Sequence, residues 1–175
     1  MLDVVSCHLP EIKKKEFLLD SSALSLFVFR LDDHLYALPL TAVERVTRAA
    51  TITPVAHSAS ILQGVINVQG DLLPVINTRR MLSLPEKELD IDDVFILIRN
   101  NQQRLVMIAD AVHQVITTDA SRIVPADHIL SHNSPWQGLL VLDDGMVLIQ
   151  DLAACMREFD EKIQTMPFKE SLPHG

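Results

Sequence analysis

Residues 62–82, LQGVINVQGDLLPVINTRRML, constrain this chain more than any other stretch, because their pattern occurs twice. Two apolar runs, 65–68 and 72–76, flank Gln69-Gly70-Asp71, a polar break whose glycine tolerates positive φ and so marks a hairpin turn. Asn77 follows the second run and can cap a helical turn over 78–82. A shift of 74 residues lays GVINVQGDLLPVIN on GLLVLDDGMVLIQD, with the Asn77 cap falling on an Asp151 cap. Upstream, Phe27-Val28-Phe29 precedes Phe95-Ile96-Leu97 by 68 residues, and Val43 and Val46 precede Val112 and Val115 by 69. Three blocks in one order at nearly constant offset identify a duplicated unit.

Both copies read as short strands. The first holds apolar runs at 24–31, 34–38 and 43–46, a fourth short strand at 50–55, and then the hairpin. The second holds 94–99, 104–109, 110–117, 136–142 and 146–150, with a capped helix over 152–159. Such strand density with turn signals between argues for small closed barrels rather than a parallel sheet with crossover helices. The expected fold is therefore mainly β, as two related small barrels with short helices after the hairpins and near the C-terminus. The acidic stretch PEKELDIDD (85–93) marks the boundary: an N-terminal arm at 1–22, a first barrel at 23–87, a second barrel with its helix at 88–159, and a tail at 160–175. The Lys13-Lys14-Lys15 run in the arm reads as a solvated face.

Composition narrows the function. A net charge of −8 and an aromatic content of 5% disfavour nucleic-acid binding, which needs a basic face and stacking rings. Cys7 and Cys155 lie near opposite ends with no partner spacing, which suits a reduced compartment. With no run long enough to span a bilayer and no leader-like charge order, the expected location is the cytoplasm.

No catalytic set stands out. The five glycines are scattered and no Gly-x-Ser-x-Gly elbow occurs. His128 and His132 have helical i, i+4 spacing, but only Asp127 is near and Pro125 and Pro135 bracket them, so no metal or cofactor is expected. His34, His57 and His113 are isolated, and Asp32-Asp33 and Asp143-Asp144 fit turn chemistry. A small-ligand or enzymatic double barrel with its site between the subdomains would need convergent polar groups, which no pattern supplies. A rigid β platform suits protein binding.

The stretch LQGVINVQGDLLPVINTRRML resembles the signature of the CheW-like domain family, with Gly64, Asn67, Gly70, Pro74, Val75 and Arg79 in matching places. FVFRLDDHLYALPLTAVERV, VMIADAVHQV and GLLVLDDGMVLIQDLAACM extend the likeness over about residues 24–157. The resemblance implies paired SH3-like five-stranded β-barrels and a non-enzymatic adaptor. Its implied partners are the cytoplasmic tip of a chemoreceptor and the regulatory domain of a CheA-type histidine kinase. The implied receptor contact is Val43, Arg45, Gly64, Ile66, Asn67, Gln69 and Gly70. Val43 and Ile66 would give apolar contact, Gly64 close backbone approach, and Arg45 and Gln69 selectivity.

Two positions depart from the family pattern. Gln69 stands where the family has Arg, and Arg45 where it has Glu, so the pair carries +1 rather than zero. Glu44 is not expected to compensate, since adjacent residues of a regular strand face opposite ways. The altered charge points to a different receptor or to another output, such as pilus-based motility.

Overall fold

The computed structural model describes residues 23–56, 61–100, 103–126 and 136–164, so the arm, His57, Asp127, His128 and His132 lie outside the described residues. The strands are β1 (Ala23–Leu31), β2 (His34–Pro39), β3 (Val43–Arg48), β4 (Leu62–Val68), β5 (Asp71–Ile76), β6 (Val94–Arg99), β7 (Arg104–Ala109), β8 (Ala111–Asp119), β9 (Val124–Pro125), β10 (Trp136–Leu142) and β11 (Gly145–Gln150). Helices α1 (Thr78–Met81) and α2 (Leu152–Gln164) follow β5 and β11. The expected strand at 50–55 is reduced to one bridge, Thr53 to Val65, because the chain there turns across the sheet edge. The helix expected to end near 159 runs to Gln164, past the expected start of the tail. Leu152, Cys155, Met156 and Phe159 form its apolar stripe, and the Gln103 amide donates to Asp160.

The strands form two sheets, ordered β8-β1-β2-β11-β10-β9 and β3-β6-β7-β5-β4. Each sheet rolls up, because chain leaving one edge strand pairs with the opposite edge: Thr53 with Val65 of β4, and β9 with β10. Leu26, Val28, Ala37, Leu140, Val147 and Ile149 fill the inside of the six-stranded roll. Ile66, Leu73, Val75, Phe95, Leu97 and Val106 fill the other. A third cluster, including Phe27, Phe29, Ile96, Ile98 and the α2 stripe, lies between the rolls. Strands β1 and β6 are therefore buried on both faces, which is why they read as continuous apolar runs rather than alternating ones.

Neither roll corresponds to one half of the sequence. Hairpin β1–β2, from the first copy, pairs with β8 and β11, whereas β6–β7, from the second, pairs with β3 and β5. The expected division near residue 87 thus follows no sheet boundary; the copies have exchanged their leading hairpins.

The duplication holds at the level of register. Leu62 faces Ile76 and Trp136 faces Gln150; Gly64 faces Val75 and Gly138 faces Ile149. A bulge falls at Gln63 in one hairpin and at Gln137 in the other. For the leading strands the structural offset is 69, not the 68 suggested by aligning Phe27 with Phe95. Parallel pairing sets Val75 beside Val106 and Ile149 beside Ala37. Phe27 faces the shared core and Phe95 the inside of a roll, and a one-residue slip inverts every side chain. The caps also repeat: Asn77 Oδ1 accepts from the Arg80 N–H and Asp151 Oδ1 from the Ala154 N–H, both at 3.0 Å.

One position breaks the repeat. Gln150 takes the place of Ile76 and is fully buried; among the described residues its amide atoms meet no nitrogen or oxygen partner, and its polar neighbour is the Cys155 thiol. A buried unsatisfied polar group costs about 1–3 kcal/mol. Gln150→Met, of similar length, is expected to raise stability by about 1–2 kcal/mol, visible as a higher urea midpoint at unchanged slope.

Candidate functional site

The β4–β5 hairpin turns on Gln69 and Gly70, with φ of 55° and 97°. Two successive positive φ values match the right-handed twist of the strands. The first falls on a residue with a side chain, and the turn is braced by Asn67 Oδ1, which accepts the Gly70 N–H at 2.8 Å. Asn67 thus serves the turn. Gln69 projects into solvent beside it.

Strand β3 carries the other half of the face. Its register against β6 jumps between Val43 and Arg45, so Glu44 is an extra, bulged residue. That bulge overturns the parity expected for Glu44. Val43 and Val46 both pack on the shared core, and Glu44 stays exposed next to half-buried Arg45. From there the Glu44 carboxylate accepts from Arg104 Nε at 2.9 Å and Nη2 at 2.5 Å. Arg104 Nη1 in turn reaches Asp71, just past the hairpin turn, at 2.7 Å. One guanidinium therefore spans from β3 to the hairpin tip. Arg45 has no ion-pair partner among the described residues; it is half-buried, opposite Leu97 of β6.

The expected contact set separates into two groups. Arg45, Asn67, Gln69 and Gly70 are accessible or half-accessible, and Leu72, opposite Asn67, is 69% exposed. Ile66 is not available for apolar contact, because its side chain fills the inside of the five-stranded roll. Gly64 is buried, and its close backbone approach is to Thr53 of its own chain. Leu72 stands in an apolar run and so reads as core in the sequence, but the structure leaves it at the surface.

The second copy presents a related face. His113 is the bulged residue of β8, in the place of Glu44, and its ring bonds Asp144 of the β10–β11 turn at 2.7 Å. Val141 and Met146, opposite one another there, are 58% and 63% exposed.

Between the rolls lies a charged network. Arg79 of α1 donates to both Asp32 oxygens at 2.8 and 2.9 Å, to Asp110 at 2.7 and 3.0 Å, and to the Pro85 carbonyl at 3.1 Å. Lys87 adds contacts to Asp93 at 2.6 Å and Asp110 at 3.3 Å. Asp32 is thus more than a turn residue. A hydrogen bond from Arg79 holds its carboxyl below the usual range. Burial pushes Asp110 upward, but the Asp32 backbone N–H with Arg79 and Lys87 outweighs burial and holds Asp110 low as well. The adjoining cavity, about 20 Å³, has room for about one water molecule. Its carboxylates, Asp93 and Asp110, are occupied by internal partners, which is the chemistry of a clamp. Among the described residues no cluster of His, Cys, Asp and Glu could hold a metal, and burial pushes the Cys155 thiol up to about 12. No described helix is long and apolar enough to cross a membrane.

Comparison with known proteins agrees with this architecture. The CheW-like domain profile matches residues 25–160. A chemotaxis protein CheW of Rhizobium meliloti is 26% identical over 129 residues, 73% of this chain and 83% of the relative. A Bacillus subtilis counterpart is 32% identical over 101 residues, 58% of this chain and 65% of the relative. The crystal structure of the scaffolding protein TtCheW from Thermoanaerobacter tengcongensis matches with a TM-score of 0.67 at 28% identity, covering 74% of this chain and 89% of that one.

Proposed function

Since the chain belongs to the CheW-like domain family, we propose that it is a non-enzymatic scaffold of chemotaxis-type signalling, coupling the cytoplasmic tip of a chemoreceptor to a CheA-type histidine kinase. The observation that carries this reading is the family match across both rolls, joined to a rigid hairpin face whose polar groups are not arranged for catalysis. Such a scaffold works in the cytoplasm beside the receptor. Its first face, around Arg45, Gln69 and Leu72, meets the receptor. The β10–β11 side meets the kinase regulatory domain.

Arg45 and Gln69 set partner choice. With Glu44 held by Arg104, the charge at this edge of β3 that no described residue pairs is the half-accessible Arg45 guanidinium. A basic partner residue opposite it would be repelled, at a cost of several kcal/mol if desolvated. The partner is therefore a divergent receptor, or one serving pilus-type motility, with a neutral or acidic residue there. Capture by immobilised receptor tips tests both levels. An ordinary chemoreceptor tip is expected to bind weakly, and Arg45→Glu with Gln69→Arg to tighten it at least about 10-fold, or about 1.4 kcal/mol. Tight capture that the double change leaves untouched would remove the divergent-partner reading. Failure to bind any receptor tip or kinase regulatory domain would remove the adaptor reading itself.

A further inference from the structure

We propose that this chain exchanges halves with a second copy of itself, pivoting on residues 85–92, and that the exchanged pair is a bivalent form of the adaptor. The topology permits this exchange, and the adaptor role of the pair follows from the function proposed above. The two halves meet through the β1–β8, β2–β11, β3–β6 and β5–β7 ladders and through the shared core. Each ladder can form equally well between halves of two chains, with every register kept. What changes is the hinge. Domain exchange is a low-cost route to dimers when only the connection must open.

The hinge has the features this requires. Every residue from Pro85 to Asp92 is exposed, up to Asp93, which is buried. Its ties outward are side-chain contacts, Arg80 to Glu86 and Lys87 to Asp93 and Asp110, with the Pro85 carbonyl accepting from Arg79. At its end a local turn is closed by Asp93 N–H to the Asp90 carbonyl at 3.1 Å and Asp90 N–H to Asp93 Oδ2 at 2.7 Å. Ile91 and Leu89 are 79% and 40% exposed there, apolar side chains that the closed chain leaves uncovered. In an exchanged pair two hinges pass one another, and each can cover the other's Leu89 and Ile91.

Charge sets the conditions. Glu86, Glu88, Asp90 and Asp92 against Lys87 leave each hinge at −3, so two adjacent hinges repel until salt screens them. The dimer fraction formed on folding should therefore rise with ionic strength, the reverse of an interface held by opposite charges. Once formed, either species persists, since interconversion requires the halves to separate. Each exchanged pair carries two β4–β5 faces and two β10–β11 faces on linked bodies, a geometry that raises avidity without new contacts.

Two full-length samples bearing different tags test this. Denatured together and refolded at high protein concentration, they are expected to give doubly tagged dimers that survive dilution. Folded separately and then mixed, they should give none. Doubly tagged pairs arising equally from mixing folded chains would overturn the proposal in favour of surface association, and so would their absence after co-refolding. A second variant lacking residues 86–91 is expected to run as a dimer by light scattering where the parent is monomeric; a folded monomer would overturn the exchange.

Discussion

Arg79→Ala is expected to lower folding stability by about 3 kcal/mol, because breaking a buried ion pair by removing one partner leaves the other charge uncompensated. The Arg79 side chain is 9% exposed and Asp110 is 17% exposed, so water replaces the lost contacts poorly. Lys87 still reaches Asp110, at 3.3 Å, which keeps the loss from being larger. Arg79→Met, which retains much of the buried stem, separates lost packing from lost charge. Acid provides a second check. Asp32 and Asp110 titrate below their ordinary 3.8 in the folded protein, so the unfolded chain binds protons first as pH falls. Their contribution is present above about pH 4 and is lost below it. The gap between the parent and Arg79→Met should therefore narrow between pH 7 and pH 3 in urea titrations. A gap that stays constant would mean that Arg79 acts through packing only.

The second large effect is expected at Gly64. A Cβ there would overlap the Thr53 carbonyl oxygen and the Ile52 Cγ2, on a backbone with φ of 155° that side chains rarely adopt. Steric overlap with backbone and the φ strain together are expected to cost about 3 kcal/mol or more in Gly64→Ala. Gly70→Ala is the control, since nothing lies within 4 Å of its added Cβ. It should cost only about 1–2 kcal/mol from its positive φ. Gly138, the counterpart of Gly64, would drive its Cβ to 2.6 Å from Ile123 Cγ2 and 2.8 Å from the Val124 carbonyl oxygen but has no positive φ, so Gly138→Ala should cost less than Gly64→Ala. Circular dichroism melts check the order. A receptor-binding defect in Gly64→Ala would then report a damaged roll, not a lost contact, and a variant that binds weakly while melting normally would contradict this.

The strands were legible because apolar runs and turn residues are local signals, and the repeat because two copies keep the same bulge, turn and cap. Partners of those strands were not legible. The apolar run says that residues 24–31 form a strand, but nothing local says that Ala37 lies beside Ile149 rather than beside its own copy's hairpin. The bulge at Glu44 was hidden for a related reason: alternation presumes an unbroken pleat, and one extra residue inverts the reading from there on. Ile66 and Leu72 show the limit for surfaces, since both are apolar in apolar runs, yet one is enclosed and the other is 69% exposed. The Arg79 clamp joins residues 47 and 31 positions apart, spacings with no motif attached.

The exchange of hairpins also sets the order in which a growing chain can be completed. The five-stranded roll closes its ladder once Ala109 is made, whereas β1 gains its second partner only with β8 at Asp119, and β2, finished by Pro39, waits for β11 at Gln150. At about 5–20 residues per second that wait is roughly 5–20 s. Until β8 is made, Leu26, Phe27, Val28 and Phe29, each fully buried in the finished molecule, have only their own hairpin partner β2. The β1–β2 hairpin is made before the five-stranded roll and housed after it, which makes residues 26–29 a segment of nascent chain open to chaperone binding.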